Sequence, residues 1–541
     1  TSLCWRIWRS EAMTERIHLF DTTLRDGAQT QGVDFSVEDK RQIALALDSL
    51  GVDYIEGGWP GANPTDTAFF AERPQLKHAR FTAFGMTKRA GRSAANDPSL
   101  APVLDAQVDA ICLVGKTSAY QVRVALEISL PENLDNIARS MEAIAARKRE
   151  PLFDAEHFFD GYKADSDYAL SCIRTAHEAG AKWIVLCDTN GGSMPEEVYA
   201  IVSAVKAALP GAALGIHAHN DTEQAVAVSL AAVRAGVRQI QGTLNGLGER
   251  CGNANLCSLL PNLMLKEPFA SQFETGISKD NLTQLTHVSR LLDEILNRAP
   301  DRYAAYVGAS AFTHKGGLHV SAVAKNPQTY EHVAPQSVGN KRSMPVSAQA
   351  GRANVAAQVA GFTAGGEKPD LGRLLQDVKR REFEGYSYDD AAASFELLAL
   401  RQQKKLPAYF AVDRFSVTVE SVRDSGGNLA SRAHAVVELL VAGERIRNTG
   451  GGNGPVNALD AALRMDLGKY SSYLADLRLV DYKVRILTSG TEAVTRVTVE
   501  SADGKGNRWS TVGVSENIVD ASFEALTDSI LYKLYRDKAK V

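Results

Sequence analysis

Eight short apolar runs in the first half of the chain constrain its fold more than any other feature. Their first residues lie 25 to 42 positions apart, which leaves room for a helix after each run. Near-continuous apolar character is typical of parallel strands that are buried on both faces. The runs cover residues 17–20, 52–56, 81–84, 110–114, 152–156, 183–187, 214–218 and 239–244. This pattern predicts an α/β chain that contains a (β/α)8 TIM barrel, with a doubly wound open sheet as the alternative.

Helix signals lie between the predicted strands. Ser36 is a candidate N-cap for a helix whose apolar residues repeat at helical spacing, and Gly51 can end that helix. Ser193 and Glu196 have the spacing of a capping box, and Gly211 lies beyond the end of the helix that would follow. The chain is therefore expected to alternate strand and helix throughout the barrel.

The chain is longer than a barrel requires. It has 541 residues, and a TIM barrel takes about 250. We expect the barrel at 14–279, a mainly helical linker region at 280–406 and a C-terminal α+β domain at 407–541. In the last of these, two β-rich segments are each followed by a helix, which predicts an internal duplication. The glycines at 450–454 are expected to form a turn before the first of these helices.

Charge and cysteine content restrict the kinds of partner. The formal net charge is −4, which argues against nucleic acid or an anionic membrane as a partner. No apolar run reaches the roughly 18 residues that cross a bilayer, so no membrane helix is expected. The six cysteines are scattered without a CxxC pair, which favours a reducing, cytoplasmic location. Residues 1–13 are interpreted as a disordered leader outside the fold.

The segment GIHAHND at the end of the seventh predicted strand carries the clearest chemical signal. His217 and His219 are two residues apart, so a strand directs both imidazoles to one face. Neutral imidazoles are common ligands of divalent metal ions. A pair of hydrogen-bonded core histidines is the ordinary alternative.

Two further polar loops are predicted on the same rim of the barrel. Arg25 and Asp26 follow the first strand, and Asn253 lies in a glycine-rich loop after the eighth. Either loop alone has an ordinary interpretation as a turn. Together with the histidines, they predict a site in which Asp26 and Asn253 could complete a set of metal ligands.

Charge counting suggests what such a site could bind. One carboxylate, two neutral imidazoles and an amide would leave a divalent ion with a net charge of about +1 and about two open positions. Two open positions suit a chelating 2-oxo acid. Arg25 would add positive charge where an alkoxide develops on the carbonyl oxygen.

Several motifs in this order resemble those of the isopropylmalate, homocitrate and citramalate synthase family of metal-dependent barrel enzymes. They are LRDGAQ, DAEHFFDGYKA, CDTNGG, HAHND, GLGERCGN, HKGGLHVSAV and GGNGPVNAL, and the resemblance covers the chain from about Ile17 onward. DAEHFFDGYKA is most similar to the citramalate synthase branch. The first loop has GAQ where isopropylmalate synthases usually have GEQ, which argues against the leucine-pathway branch.

The resemblance implies a Claisen condensation of acetyl-CoA with a 2-oxo acid, followed by thioester hydrolysis. In the citramalate branch the 2-oxo acid is pyruvate. The implied metal ligands are Asp26, His217, His219 and Asn253, and the divalent ion could be Zn, Mn, Co or Mg. Arg25 would polarise the keto group, and Thr189 would bind the substrate carboxylate.

The resemblance also implies groups for proton transfer and an oligomeric state. Glu156 matches the acid of the fifth strand, near the acetyl methyl group. His319 and Tyr330 match two residues that come from the partner subunit of a homodimer. Glu156, His319 and Tyr330 have the chemistry to move the methyl proton, and the sequence does not say which of them removes it. Without the resemblance, Tyr330 would be interpreted as a surface aromatic and His319 as a packed loop histidine.

The C-terminal domain resembles the regulatory domain of the same family, which binds an end-product amino acid. For the citramalate branch the implied effector is isoleucine, with leucine as the alternative. A dimerisation module without a ligand is a further interpretation. Isopropylmalate or homocitrate synthesis, a related lyase, and an amino-acid sensor without chemistry are the other functions that we considered.

Overall fold

A computed structural model describes residues 14–347, 349–360, 369–423, 428–490 and 493–541, and the predicted leader lies outside these residues. They form two compact units. The first contains the described residues up to Phe312 together with Val333–Lys341, and the second contains Thr313–His332 and Arg342–Val541. Within the described ranges, no helix has both the length and the apolar character needed to cross a membrane.

The first unit is built on a closed barrel of eight parallel strands, which confirms the predicted architecture and excludes the open sheet. The last barrel strand pairs with the first through His18 and Gln239. The barrel strands are β2 His18–Asp21, β3 Tyr54–Glu56, β4 Arg80–Met86, β5 Ala110–Lys116, β6 Glu150–Glu156, β7 Trp183–Asp188, β8 Leu214–Ala218 and β9 Gln239–Gly242. Two short parallel strands, β1 Glu15–Arg16 and β10 Phe273–Glu274, pair outside the barrel.

Helices connect the barrel strands and follow the last of them. They are α1 Val37–Leu50, α2 Pro64–Ala71, α3 Ala101–Asp105, α4 Ala119–Gln121, α5 Leu130–Ala146, α6 Phe158–Ala164, α7 Ser166–Glu178, α8 Pro195–Ala208, α9 Ala225–Ala235, α10 Leu256–Leu265, α11 Phe269–Gln272, α12 Lys279–Leu282 and α13 Leu285–Ile295. A large apolar core lies between the strands and these helices. A second cluster of buried side chains, which includes Phe20, Leu152 and Val185, comes from the barrel strands themselves. We interpret it as the apolar filling of the lumen, because inward-facing side chains of such barrels pack in layers.

The two predicted helix starts have different outcomes. Ser36 caps α1 and forms a capping box with Asp39, and Gly51 ends the helix at a φ of 102°. The predicted capping box of Ser193 is wrong. Helix α8 is capped one residue later, where the Met194 N–H donates to the Glu197 carboxylate. The Ser193 hydroxyl donates instead to Asp188, 3.0 Å away, because this buried carboxylate competes for it.

The last barrel strand is shorter than predicted, because β9 ends at Gly242 and not at residue 244. A Cβ on Gly242 would lie 2.5 Å from the Ala254 carbonyl oxygen, so the chain passes very close to the returning glycine-rich loop here. A short 3-10 turn, Leu244–Gly246, follows. The loop after β9 is thereby held over the end of the barrel.

The second unit contains the predicted duplication. Each copy is a three-stranded antiparallel sheet followed by a helix. The first is β11 Phe410–Arg423, β12 Leu429–Val441, β13 Glu444–Gly452 and α18 Pro455–Met465, and the second is β14 Arg478–Ile486, β15 Thr495–Ala502, β16 Arg508–Ser515 and α19 Ile518–Arg536. Among the described residues of this unit, four further α-helices precede them: α14 Gly317–Lys325, α15 Arg352–Ala360, α16 Leu371–Phe383 and α17 Ala392–Gln402.

One expectation about this unit is wrong. Glycines 450–452 end strand β13, which the sequence did not predict, and only the residues after them form the turn. A Cβ on Gly450 would lie 2.4 Å from backbone atoms of Ala458 and Ala462. The glycine therefore permits helix α18 to pack directly on the strand.

Candidate active site at the carboxyl ends of the barrel strands

A cavity of about 750 Å³ lies at the carboxyl ends of the barrel strands, within the first unit. Six of the residues predicted for the site line it: Arg25, Asp26, Glu156, Thr189, His217 and His219. They come from the loops or ends of β2, β6, β7 and β8. The active sites of TIM barrels lie at this face.

Asp26, His217 and His219 form a compact buried cluster. Nε2 of His217 lies 3.2 Å from Nε2 of His219 and 3.1 Å from Oδ2 of Asp26. One ligand atom from each residue lies within 4.8 Å of the others. The three side chains are thus arranged as a metal site would require.

Asn253 lies beside this cluster. Its Nδ2 donates to Oδ2 of Asp26 at 2.9 Å, and Asn253 and His219 form an isolated antiparallel bridge. A Cβ on Gly248 would lie 2.3 Å from Oδ1 of Asn253, so a glycine is needed where the loop passes this side chain. All four predicted ligands are therefore brought together.

The charge states favour metal binding. Burial, together with the charge of the neighbouring His217, lowers the pKa of His219 to about 3. Burial alone would raise the pKa of Asp26, but Arg25 and His217 outweigh it and hold this pKa well below its usual range. At neutral pH the cluster therefore offers a carboxylate and the uncharged imidazole of His219.

Two buried atoms of the four predicted ligands have no hydrogen-bond partner among the described residues. They are Nδ1 of His219 and Oδ1 of Asn253. Leaving such atoms unpaired costs about 1–3 kcal/mol each, so unpaired groups of this kind call for an explanation. A divalent cation held by one carboxylate, two imidazoles and an amide oxygen fits this donor set.

Arg25 is held rigidly beside the cluster. Its Nε donates to Oε2 of Glu56 at 2.7 Å, and its guanidinium lies 3.9 Å from the centre of the Phe84 ring. Its Nη1 lies 3.4 Å from Oδ2 of Asp26. Burial raises the pKa of Glu56 to about 7, and Asp154 adds to this shift while Arg25 opposes it.

Glu156 and Thr189 also line the cavity. Oε2 of Glu156 pairs with Nζ of Lys116 at 2.7 Å. The Thr189 hydroxyl oxygen accepts the His157 N–H at 2.8 Å, which leaves its own hydrogen available to a ligand. His157 has a φ of 57°, a left-handed conformation that directs its N–H toward Thr189.

His319 and Tyr330 belong to the second unit. Their rings stack with centroids 4.1 Å apart, and both side chains are exposed. His319 lies in the first turn of α14, and Tyr330 follows the 3-10 turn Pro327–Thr329. The structure thus brings these two predicted residues into contact with each other.

Four residues of the site were missed by the sequence analysis. Glu56, Asp154 and Gln241 lie at the ends of β3, β6 and β9, and Lys116 ends β5. Gln241 contacts His217, and Asp154 contacts Gln241. The available signal was the presence of polar residues near the carboxyl ends of these apolar runs, which is where a barrel places its chemistry.

Family models match three consecutive parts of the chain. The HMGL-like model matches residues 16–292, and the model described as the homocitrate synthase post-HMGL domain-like matches residues 306–383. The LeuA allosteric (dimerisation) domain matches residues 391–534. These matches define the class: an HMGL-like barrel enzyme with a LeuA-type C-terminal domain.

Curated relatives extend over almost the whole chain. An (R)-citramalate synthase of Aquifex aeolicus is 47% identical over 97% of this chain and 99% of its own length. One of Geobacter sulfurreducens is 46% identical over 96% of this chain and 98% of its own length. A 2-isopropylmalate synthase of Erwinia tasmaniensis is 30% identical over 96% of this chain and 95% of its own length. The chain belongs to the citramalate synthase family of HMGL-like enzymes.

Proposed function

We propose that the chain is an (R)-citramalate synthase, which condenses acetyl-CoA with pyruvate and hydrolyses the thioester to citramalate and CoA. The observation that carries this proposal is the 47% identity to the Aquifex aeolicus enzyme over nearly both full lengths. The 2-isopropylmalate synthase of Erwinia tasmaniensis is only 30% identical over a similar span. The cavity at the carboxyl ends of the strands supplies the polar groups that the reaction needs.

In this proposal, Asp26, His217, His219 and Asn253 hold a divalent cation. When bound, the cation supplies Lewis acidity to the keto group of pyruvate. Zn, Mn, Co and Mg all suit ligands of this kind to varying degrees, so the native metal is to be found by experiment. Arg25, held by Glu56, stabilises negative charge that develops on the keto oxygen, and Thr189 donates to the pyruvate carboxylate.

The carbon–carbon bond forms after a proton leaves the acetyl methyl group. The methyl carbon then attacks the keto carbon of pyruvate, and the keto oxygen becomes the hydroxyl of the product. Water next cleaves the thioester and releases the CoA thiol. Glu156, held by Lys116, lies in the barrel cavity, while His319 and Tyr330 are proposed to come from the partner subunit of a homodimer. General acid–base groups on both sides of the thioester are required because the methyl proton is barely acidic.

We further propose that isoleucine regulates the enzyme through the C-terminal domain. A cavity of about 600 Å³ in the second unit combines the ion-paired Asp460 and Arg464 with apolar Val456 and Leu477. Such a mixture suits the charged and apolar parts of a branched amino acid. The effector would act by binding two states of the dimer unequally.

We also propose that the enzyme is cytoplasmic. An isoleucine-forming pathway and free thiols at all five described cysteines support this location.

The test is a panel of 2-oxo acids. Purified enzyme is supplied with acetyl-CoA, a divalent cation and pyruvate, 2-oxoisovalerate or 2-oxoglutarate, and CoA thiol release is measured. We expect pyruvate to give the highest kcat/KM, with (R)-citramalate as the product on a chiral column. A higher kcat/KM for 2-oxoisovalerate or 2-oxoglutarate would replace the proposal with isopropylmalate or homocitrate synthesis. The same assay with added isoleucine and leucine identifies the effector.

A further inference from the structure

Gln241 on strand β9 contacts one of the proposed metal ligands without belonging to the ligand set. Its side chain is fully buried. Its Oε1 lies 2.7 Å from Nδ1 of His217, and its Nε2 lies 2.9 Å from Oδ1 of Asp154. Asp154 and His217 are themselves buried, so three side chains from β6, β9 and β8 form a dry chain of hydrogen bonds.

The orientation of the Gln241 amide determines the direction of both hydrogen bonds, because its Nε2 lies against Oδ1 of Asp154 and its Oε1 against Nδ1 of His217. The Gln241 amide N–H donates to Oδ1 of Asp154, which holds the amide in this orientation. The amide oxygen of Gln241 then faces His217 and can only accept in turn. The hydrogen of neutral His217 must therefore lie on Nδ1.

This tautomer leaves the lone pair of His217 on Nε2, and that atom faces the rest of the cluster. Nε2 lies 3.1 Å from Oδ2 of Asp26 and 3.2 Å from Nε2 of His219. The other tautomer would point a hydrogen into the cluster and could not bind a cation there. Groups that fix the ring of a ligating histidine in this way typically affect metal affinity 10- to 100-fold.

We infer that Gln241, held by Asp154, is a positioning residue that fixes His217 in the tautomer whose Nε2 can bind a divalent cation. The inference rests on the metal site of the proposed function and not on the identity of the 2-oxo acid. Neither Gln241 nor Asp154 needs to touch the cation itself.

The same strand offers a matched control. Gln239 lies two residues earlier, so it faces the same side of β9, and it is fully buried as well. Neither its amide oxygen nor its amide nitrogen has a hydrogen-bond partner among the described residues. Gln239→Leu therefore removes a buried amide from the same strand without removing a contact to His217.

The experiment compares metal affinity in Gln241→Leu and Gln239→Leu. Full-length enzyme is stripped of metal, and the Kd for Zn²⁺ is measured at pH 7.5 by competition with a chromogenic chelator. We expect Gln241→Leu to bind about tenfold or more weakly than wild type, and Gln239→Leu to stay within about twofold. Equal Kd values for the two variants would overturn the inference.

A charge-conserving exchange separates positioning from packing. The double variant Asp154→Asn/Gln241→Glu swaps the amide and the carboxylate, so the introduced amide donates and the introduced carboxylate accepts from Nδ1 of His217. We expect its Zn²⁺ Kd to return to within about threefold of wild type. A folded double variant that binds as weakly as Gln241→Leu would overturn the inference.

The exchange also decides the case in which Gln241→Leu does not fold. A folded double variant with wild-type affinity then supports the inference, and one with lost affinity overturns it. Failure of the proposed function gives a different result. Wild type that binds Zn²⁺ but prefers another 2-oxo acid refutes the substrate assignment alone, whereas wild type without metal affinity refutes the metal site and this inference together.

Discussion

At the residue scale, the candidate site combines one ionised carboxylate with imidazoles in a setting that excludes water. Asp26 is 2% exposed and His217 is 5% exposed, so neither is free to find solvent partners. Burial alone would lower the pKa of His217, but the hydrogen bond and charge of Asp26 raise it. A bound cation would take the place of any proton on Nε2 of His217, the ring nitrogen that faces Asp26.

His217→Ala tests the ligand assignment. We expect the variant to lose bound metal and at least about 100-fold in condensation rate, because ligand removal dismantles the site. Metal per chain is measured by elemental analysis, and the fold is checked by circular dichroism. The exposed His287 on α13 provides the control, since His287→Ala should change neither quantity. Retained activity with unchanged metal content in His217→Ala would contradict the assignment.

Asp21→Asn tests how much the burial of a carboxylate at the end of β2 lowers the free energy of unfolding. Burial raises the pKa of Asp21 to about 7, against hydrogen bonds from Thr23 that lower it. Because this pKa lies above the ordinary value of 3.8, the folded chain binds the proton more tightly than the unfolded chain does. The contribution of the protonated Asp21 carboxyl to stability is fully present below about pH 4 and is lost as the pH rises through about 7.

We therefore expect Asp21→Asn to stabilise the barrel at pH 8, by about 1–4 kcal/mol, and to have a smaller effect toward pH 5. Calorimetric melting of both proteins between about pH 5 and 8 measures the difference. Asp105→Asn is the control, because its side chain is 72% exposed. A stability difference for Asp21→Asn that does not change with pH would refute the buried-charge explanation.

Part of the candidate site could be predicted from the sequence. His217 and His219 share a strand, so their common direction follows from the spacing alone. Glu56, Asp154 and Gln241 could not be predicted in this way. Each is a polar residue in a largely apolar run, and its partner comes from a distant part of the chain: Arg25 in the loop after β2 for Glu56, and the Gln241 side chain on β9 for Asp154.

At the element scale, the barrel could be predicted because its strands are apolar on both faces and regularly spaced. Helix and strand ends were harder, because they depend on contacts between elements. The Ser193 hydroxyl donates to Asp188 and therefore does not cap helix α8. Strand β13 has three glycines where a strand would normally carry β-branched residues. The packing of helix α18 against these glycines explains their presence, and the sequence does not reveal that packing.

Gly450→Ala tests that packing. Its Cβ would lie 2.4 Å from helix backbone, which cannot yield as a side chain could, so we expect a loss of about 1–3 kcal/mol confined to the C-terminal unit. Calorimetry should show a lower melting temperature for that unit, with basal condensation retained and inhibition by isoleucine weakened. Gly454→Ala is the matched control, since no atom lies within 4 Å of its Cβ position. Identical melting of the two variants would argue against close packing at Gly450.

At the whole-molecule scale, the groups proposed for one reaction belong to two compact units. The first unit contains the proposed metal ligands, Arg25 and Glu156, and the second contains His319 and Tyr330. In a homodimer that shares its sites, one chain would supply the barrel and its partner would supply the aromatic pair. This proposal makes activity a property of the pair of chains.

Mixed dimers test this arrangement. Chains with His217→Ala and chains with Tyr330→Phe are co-expressed under different tags, and doubly tagged dimers are purified. We expect each parent variant to be nearly inactive and the mixed dimer to regain about half of wild-type activity, since one of its two sites is intact. Mixed dimers of His217→Ala with His219→Ala are the control and should stay inactive, because every site then carries one lesion. If the mixed dimer of His217→Ala with Tyr330→Phe is inactive, Tyr330 acts in the same site as His217 of its own chain.

The pairing of the first barrel strand with the last has a consequence for how the protein is synthesised. Asp26 follows the first barrel strand and Asn253 follows the last, yet their side chains are hydrogen-bonded across 227 positions of sequence. During synthesis, Asn253 can therefore contact Asp26 only after almost the entire barrel has left the ribosome. Metal uptake during synthesis would then report barrel closure, and a chain stopped before residue 253 would lack the complete set of ligands.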